Sequence, residues 1–383
     1  MSKINDLIKE LCPNGAEYRT LDKIVSIATG KLNANAMVEN GQYAFFTCDA
    51  NPFRIDTYAF DGEAILISGY GSQVGHLNYY IGKFNAYQRT YVLMDFNKDI
   101  LSKYLFHYLD AYLKKHIDEN SKKGSVPYIT LPMLKNFKVA VPPLEVQEEI
   151  VRILDKFGEL EAELEAELEA RKSQYEFWHG KVFDNIDAKF VKLSDLCKIG
   201  DGLHGTPRYL DDGDYYFING NNLMNGKIIF DEKTKKVSKT EFENQNIKLD
   251  KNTLLMSING TIGKVSYYDD EKIMLGKSVA YFSILDEKVL SKKYLFYLLQ
   301  ATRSVRYYND SLTGSTILNL GLKALREFEI PLPPIEEQNK ISNILEHFDK
   351  LINDITVGIP AEIELRRKQY EYYRNKLLTL KEI

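Results

Sequence analysis

Asn259–Val265 reads NGTIGKV, a stretch whose glycines and lysine suggest a cradle for phosphate. A P-loop needs a glycine five residues before its Gly-Lys pair and Ser or Thr after it. Ile258 and Val265 occupy those positions, so the spacing fails. Gly200–Gly205 (GDGLHG) lacks the strand–GxGxxG–helix context of a dinucleotide site and reads as a loop. Asn51-Pro52-Phe53 approaches the Asn/Asp-Pro-Pro-Tyr/Phe tetrad of DNA methyltransferases, but without the second proline it reads as a turn. Histidines 76, 107, 116, 179, 204 and 347 are scattered without HExxH spacing, so no metal site is expected. Cys12, Cys48 and Cys197 form no CxxC, and neither a disulfide framework nor a zinc site is expected. No nuclease, protease or methyl-transfer centre emerges.

The chain's 383 residues suit two to three domains. At 44% apolar and 12% aromatic, each can bury a core. Tyrosine numbers 26, a bias useful at wet interfaces, where the ring buries area and the hydroxyl keeps a partner. The net charge of −4 is unevenly spread: Glu145–Lys172 hold ten acids against four bases, leaving 44 acids and 46 bases elsewhere. That remainder, neutral to slightly basic, permits DNA binding. The opening MSKINDLIKELCPNG lacks an apolar signal region. No apolar run reaches the roughly 18 residues of a membrane span. A cytoplasmic protein without membrane contact is expected.

The strongest signal is an internal repeat. Val141–Phe157 (VPPLEVQEEIVRILDKF) and Leu332–Phe348 (LPPIEEQNKISNILEHF) share eight of seventeen residues. Arg171–Phe183 aligns with Arg366–Leu378, the second copy having gained four residues and a Gly358-Ile359-Pro360 interruption. Upstream, Lys103–Phe106 matches Lys293–Phe296, Gly124-Ser125 matches Gly314-Ser315, and Tyr18–Gly30 resembles Phe190–Gly202. Four blocks in one order make two half-molecules, each a globular module followed by a helix.

Each Pro-Pro pair ends an extended segment, Phe137–Val141 or Phe328–Pro331, and is followed by acids suited to a first helical turn. From Glu145 to about Phe183 no proline intervenes, and Ile150, Ile153, Leu154, Phe157, Leu160, Leu164 and Leu168 form an apolar helical stripe. So long a helix must bury its stripe, and the second copy is the obvious partner. In the modules, Glu63–Ser68, Tyr91–Met94, Thr253–Ser257 and Ala280–Ile284 read as strands. Ser102–Ile117 and Ser291–Tyr308 read as helices, and glycine-rich turns lie at Gly69–Gly75 and Gly260–Gly263. The expected fold is α+β: two similar strand-rich modules separated by two long antiparallel, coiled-coil-like helices, with a pseudo-twofold internal repeat.

This arrangement resembles the specificity subunits of type I restriction–modification systems. The resemblance covers the whole chain and rests on the paired PPLEVQ/PPIEEQ blocks with IxxILxxF behind them, the RKxQYE-type helix ends, the GSxxxxL segments and the opening LCPNGAEYRTLDKI. It implies target-recognition domains over residues 1–140, with the N-terminal segment, and 186–331, each reading half of a split, asymmetric DNA site. Residues 141–185 and 332–383 would be spacer helices, with Gln147, Ile150, Leu154, Phe157, Leu160, Leu164 and Leu168 in the first serving spacing and partner docking. In the second, Gln338, Ile341, Leu345 and Phe348 would do so. Two methyltransferase subunits and restriction subunits would be the partners, and S-adenosylmethionine, ATP and Mg would belong to them. This chain would hold no cofactor and no catalytic residue. The four-residue LEAE unit resembles the family's device for setting the gap between half-sites; one more unit adds about 6 Å and a turn of about 40°. A non-catalytic protein-binding scaffold with a coiled-coil spacer is the alternative.

Base-reading residues follow from donor and acceptor patterns: Arg and Lys suit guanine, Asn and Gln suit adenine, Ser and Thr either. Candidates in the first module are Ser72 and Gln73 in the glycine turn, Tyr87, Gln88, Arg89 and Thr90 before a strand, and Lys122, Lys123, Gly124 and Ser125. In the second they are His204, Thr206, Arg208, Asn219, Asn221 and Asn222. Thr261, Lys264, Lys277, Ser278, Gly314, Ser315 and Thr316 complete the set. Each has an alternative role in ordinary loop or turn chemistry.

Overall fold

Prolines and glycines govern where the long helices begin and end. In the computed structural model, which describes residues 2–120, 128–314, 318–354 and 356–382, helix α1 (Leu144–Val182) starts directly after Pro142-Pro143 and runs 39 residues unbroken. At 1.5 Å per residue it is about 58 Å long. The second copy is two helices rather than one spacer over 332–383: α2 (Ile335–Asn353) and α3 (Ile359–Leu378). Between them a Cβ on Gly358 would lie 2.6 Å from the Lys350 carbonyl oxygen, so only glycine fits there without displacement. Pro360 sits in the first turn of α3, where its missing N–H is no loss.

The chain forms two compact units, Met1–Glu165 with Glu362–Ile383, and Ala166–Ala361. In the first unit, α3 runs antiparallel to the middle of α1: Phe157 stacks on Tyr373, and Arg367 bridges Glu161 and Glu165 at 2.6 and 2.7 Å. Six strands make one sheet, in the order Ser26–Thr29, Thr90–Met94, Phe60–Ser68, Leu77–Ala86, Tyr43–Phe46, Phe53–Ile55. All neighbours are antiparallel except Tyr43–Phe46 beside Leu77–Ala86. The central strand explains itself through its alternation: Ile65 and Ile67 enter the core that holds Tyr104, Leu105 and Leu109, whereas Ala64 and Leu66 enter a second core with Phe46 and Phe84.

The second unit repeats the plan with its strands divided between separate sheets. Cys197–Asp201, Val279–Ile284, Thr253–Ser257 and Val265–Tyr267 form an antiparallel sheet. Ile273–Leu275 then joins a separate sheet, parallel to Tyr215–Ile218. The long strand Leu77–Ala86 of the first unit is thus two strands here, parted at Tyr268–Lys272, where Asp270 has a φ of 60°. Leu254 and Met256 face one core and Leu255 another, the same alternation as in the first unit.

The paired Pro-Pro-x-x-x-Gln blocks have a structural role. Gln147 is fully buried; its amide donates to the carbonyls of Asp99 (2.8 Å) and Pro142 (2.7 Å) and accepts from the Leu101 N–H at 2.9 Å. Gln338 repeats this with Val289, Pro333 and Ser291. Both glutamines lock a helix start onto their own unit, which removes them from any docking surface. Ile150, Leu154, Ile341 and Leu345 are likewise buried in the cores of their units. Phe157, Leu160, Leu164, Leu168 and Phe348 stay half-buried.

The helix expected over Ser291–Tyr308 divides into Lys292–Gln300 and Thr302–Ser311 at an extended Ala301. Periodicity missed this because tertiary groups replace the lost helical bonds. His179 Nε2 caps the Tyr297 carbonyl at 2.9 Å, Ser304 that of Leu298 at 2.6 Å, and the Tyr308 hydroxyl that of Leu299 at 3.0 Å. Val305, expected on the apolar face, is exposed.

Candidate nucleic-acid interface

At one end of each sheet, a set of main-chain hydrogen bonds recurs bond for bond. Ser68 N–H donates to His76 O and Gly75 N–H to Ser68 O; Ser257 N–H donates to Lys264 O and Gly263 N–H to Ser257 O. Gly69 N–H reaches Arg89 O at 2.9 Å, as Ile258 N–H reaches Ser278 O at 2.9 Å. Gln88 N–H bonds Leu32 O and Lys277 N–H bonds Leu203 O. Ile129 N–H bonds Gly69 O and Leu320 N–H bonds Ile258 O. Isolated bridges join Tyr70 to Tyr128 and Asn259 to Asn319. The same frame is therefore built twice, and it places Tyr70, Gln88, Arg89 and Tyr128 of the first unit where the second has Asn259, Lys277, Ser278 and Asn319.

Glycine permits the close approach at the edge of each frame. A Cβ on Gly30 would lie 1.8 Å from the Ala86 carbonyl oxygen, and one on Gly202 would lie 2.1 Å from that of Leu275.

In the second unit the frame borders a cleft of about 980 Å³. Of the residues proposed from sequence, His204, Asn219, Asn221, Thr261, Lys277 and Ser278 line it. His204 Nε2 lies 2.7 Å from Asp201, and the Ser278 hydroxyl donates to the Asn219 side-chain carbonyl at 3.0 Å. Asp201, Asn259 and Asn319 also line the cleft and were not singled out. Their signal was the repeat itself, since Asn259 and Asn319 fall opposite Tyr70 and Tyr128. Asn222 faces away from this role: its amide bonds Ile229 O and Thr234, and its carbonyl accepts the Asn219 N–H, so it holds the loop. Thr206 and Arg208 are exposed outside the cleft, Lys264 is half-buried, and Gly314 is an exposed turn glycine with a φ of 96°.

In the first unit Ser72 and Gln73 are exposed in the turn after Ser68. Arg89 is exposed, with its guanidinium 4.3 Å from the centre of the Tyr70 ring. Gln88 donates to Asn33 at 3.1 Å, and Tyr87 is half-buried. Thr90 is only 1% exposed and its hydroxyl donates to the Phe46 carbonyl. It supports the strand and presents nothing outward. Lys122, Lys123, Gly124, Ser125, Ser315 and Thr316 lie outside the described residues.

Among the described residues no cluster of His, Cys, Asp and Glu has the makings of a metal site. No helix among them is long and apolar enough to cross a membrane.

Two units with one frame and different side chains at its equivalent positions define a protein of two similar modules. The family model for the type I restriction modification DNA specificity domain matches residues 13–170 and 185–365, and the chain belongs to that family. A putative type I restriction enzyme specificity subunit of Haemophilus influenzae is 28% identical over 94% of this chain and 95% of its own length. The EcoR124I/EcoR124II specificity subunit of Escherichia coli is 30% identical over 74% of this chain and 72% of its own. The fold matches a solved structure concerned with assembly and conformational transition of the type I system, with a TM-score of 0.64 at 14% identity over 96% of this chain and 98% of that one. The protein is a DNA sequence-specificity subunit.

Proposed function

We propose that the chain reads a two-part, asymmetric duplex DNA target, each unit taking one half through its frame loops. The observation that carries this reading is the duplicated frame: identical main-chain bonds set equivalent positions, and the side chains at those positions differ. Two readers of one geometry with different donors and acceptors select two different sequences. The chain itself does no chemistry. It docks two methyltransferase subunits and, in the restricting assembly, motor-nuclease subunits. S-adenosylmethionine, ATP and Mg²⁺ are held by those partners, in the cytoplasm.

The test is long-read mapping of methylated adenines in a host expressing the full chain with its methyltransferase partner. A split motif that disappears when the chain is omitted supports the reading. An unchanged methylation pattern without the chain overturns it.

A further inference from the structure

The duplicated frame allows a residue-level comparison of the two readers. In the first unit, Tyr70 and Tyr128 meet at the bridge beside the Gly69 turn and are 39% and 41% exposed. Arg89, on the neighbouring strand connection, lays its guanidinium on the Tyr70 ring. Cation–π contact, weak between exposed groups, biases the planar fork towards one orientation before any ligand arrives. A fork held this way matches the paired acceptors O6 and N7 of guanine.

The second unit has no arginine in its frame. Position for position, Tyr70 becomes Asn259, Tyr128 becomes Asn319 and Arg89 becomes Ser278. Asn219 and Asn221 bring two more amides to the same cleft. The Asn259 amide donates to Lys277 O at 3.4 Å, a long bond that a better partner can replace. An amide offers one acceptor and one donor side by side, the complement of adenine N6–H and N7.

We propose that Arg89, set by Tyr70, selects a guanine in the half-site read by the first unit, and that Asn259 with Asn319 selects an adenine in the other half. The assignment rests on the DNA-reading function proposed above. The swap of side chains on a common frame is then what makes the target asymmetric.

Methylation mapping with the full chain and its methyltransferase partner tests it, using Arg89→Ala, Arg89→Lys, Tyr70→Leu and the double variant Asn259→Ala with Asn319→Ala. Arg89→Ala is expected to reduce the preference for one guanine about 5- to 150-fold, the worth of one bidentate base contact, with the other half unchanged. Arg89→Lys keeps the charge but not the fork and is expected to relax the same position. It decides the matter if the alanine variant loses methylation altogether. Tyr70→Leu is expected to act in the same direction, more weakly. The asparagine double variant is expected to relax an adenine of the opposite half, other than the methylated base. Arg89→Lys with an unchanged motif, or relaxation in both halves, overturns the residue assignment while leaving the two-part reading intact. A wild-type chain that specifies no split motif overturns that reading instead.

Discussion

Replacing Gln147 by leucine isolates what the Pro-Pro-x-x-x-Gln motif does. The side chain is buried and makes three hydrogen bonds, to Asp99 O, Pro142 O and the Leu101 N–H. Leucine matches its size but leaves all three backbone groups without a partner. The Pro142 contact is buried and those to Asp99 and Leu101 are part-buried, so water is expected to recover one of the latter two and leave two groups stranded. Each stranded group costs about 1–3 kcal/mol, against which the added apolar burial returns about 1 kcal/mol. The net expectation is a loss of about 3 kcal/mol. For a unit of this size that lowers the melting temperature by about 6–12 °C. Differential scanning calorimetry of the full chain, wild type against Gln147→Leu, reads it directly. Gln147→Glu is the sharper control, because a carboxylate keeps the acceptor, loses both donors and faces two carbonyl oxygens. It is expected to be at least as damaging as leucine. A shift under about 2 °C for leucine, or a glutamate variant milder than leucine, refutes the donor role and with it the account of why the motif recurs.

Two further expectations follow from the packing. Glu149, held by Arg152 first and by Lys3 as well, has its carboxyl lowered to about 2 despite opposing burial. Its stabilising effect is therefore complete above the ordinary glutamate range near 4.3 and is lost as pH falls towards 2. The melting-temperature gap between wild type and Glu149→Gln should narrow across that window, and a gap independent of pH counts against the ion pairs. Gly202→Ala and Gly30→Ala each force a Cβ onto a backbone carbonyl and should cost about 1–3 kcal/mol or more. Gly205→Ala meets nothing within 4 Å and should be neutral; equal melting of all three would show that the close approach does not matter.

Much of this architecture was legible because it is written in local rules. Proline pairs mark strand ends, and the run from Glu145 to Phe183 lacks any proline, so α1 forms as its periodicity requires. What was not legible depends on distant groups. Nothing near Ala301 in sequence announces that His179 will cap Tyr297, which lets the chain leave the helix there. Gln147 and Gln338 sit at the start of amphipathic helices and look like surface residues until Asp99 and Val289 are seen behind them. The candidate interface divided the same way. Loop position found His204, Asn219, Thr261, Lys277 and Ser278, since polar loop residues beside glycine turns are easily picked out. Tyr70, Tyr128, Asn259 and Asn319 escaped because each matters only through a bridge to a segment about sixty residues away.

The physical logic of the duplicated frame lies in which atoms do the holding. The bonds that fix the proposed reading positions are main chain to main chain, from Gly69 to Arg89 and from Ile258 to Ser278, and they are indifferent to side chain. A tyrosine can become an asparagine, or an arginine a serine, without loosening the scaffold. Stability rests on residues behind the frame, such as Thr90, Gly202 and the buried glutamines, where substitution is expensive. On the proposed reading, specificity rests on residues in front of it, where substitution is expected to cost the fold little. On that reading each unit can change what it reads while keeping its fold, because each carries its own set of main-chain bonds.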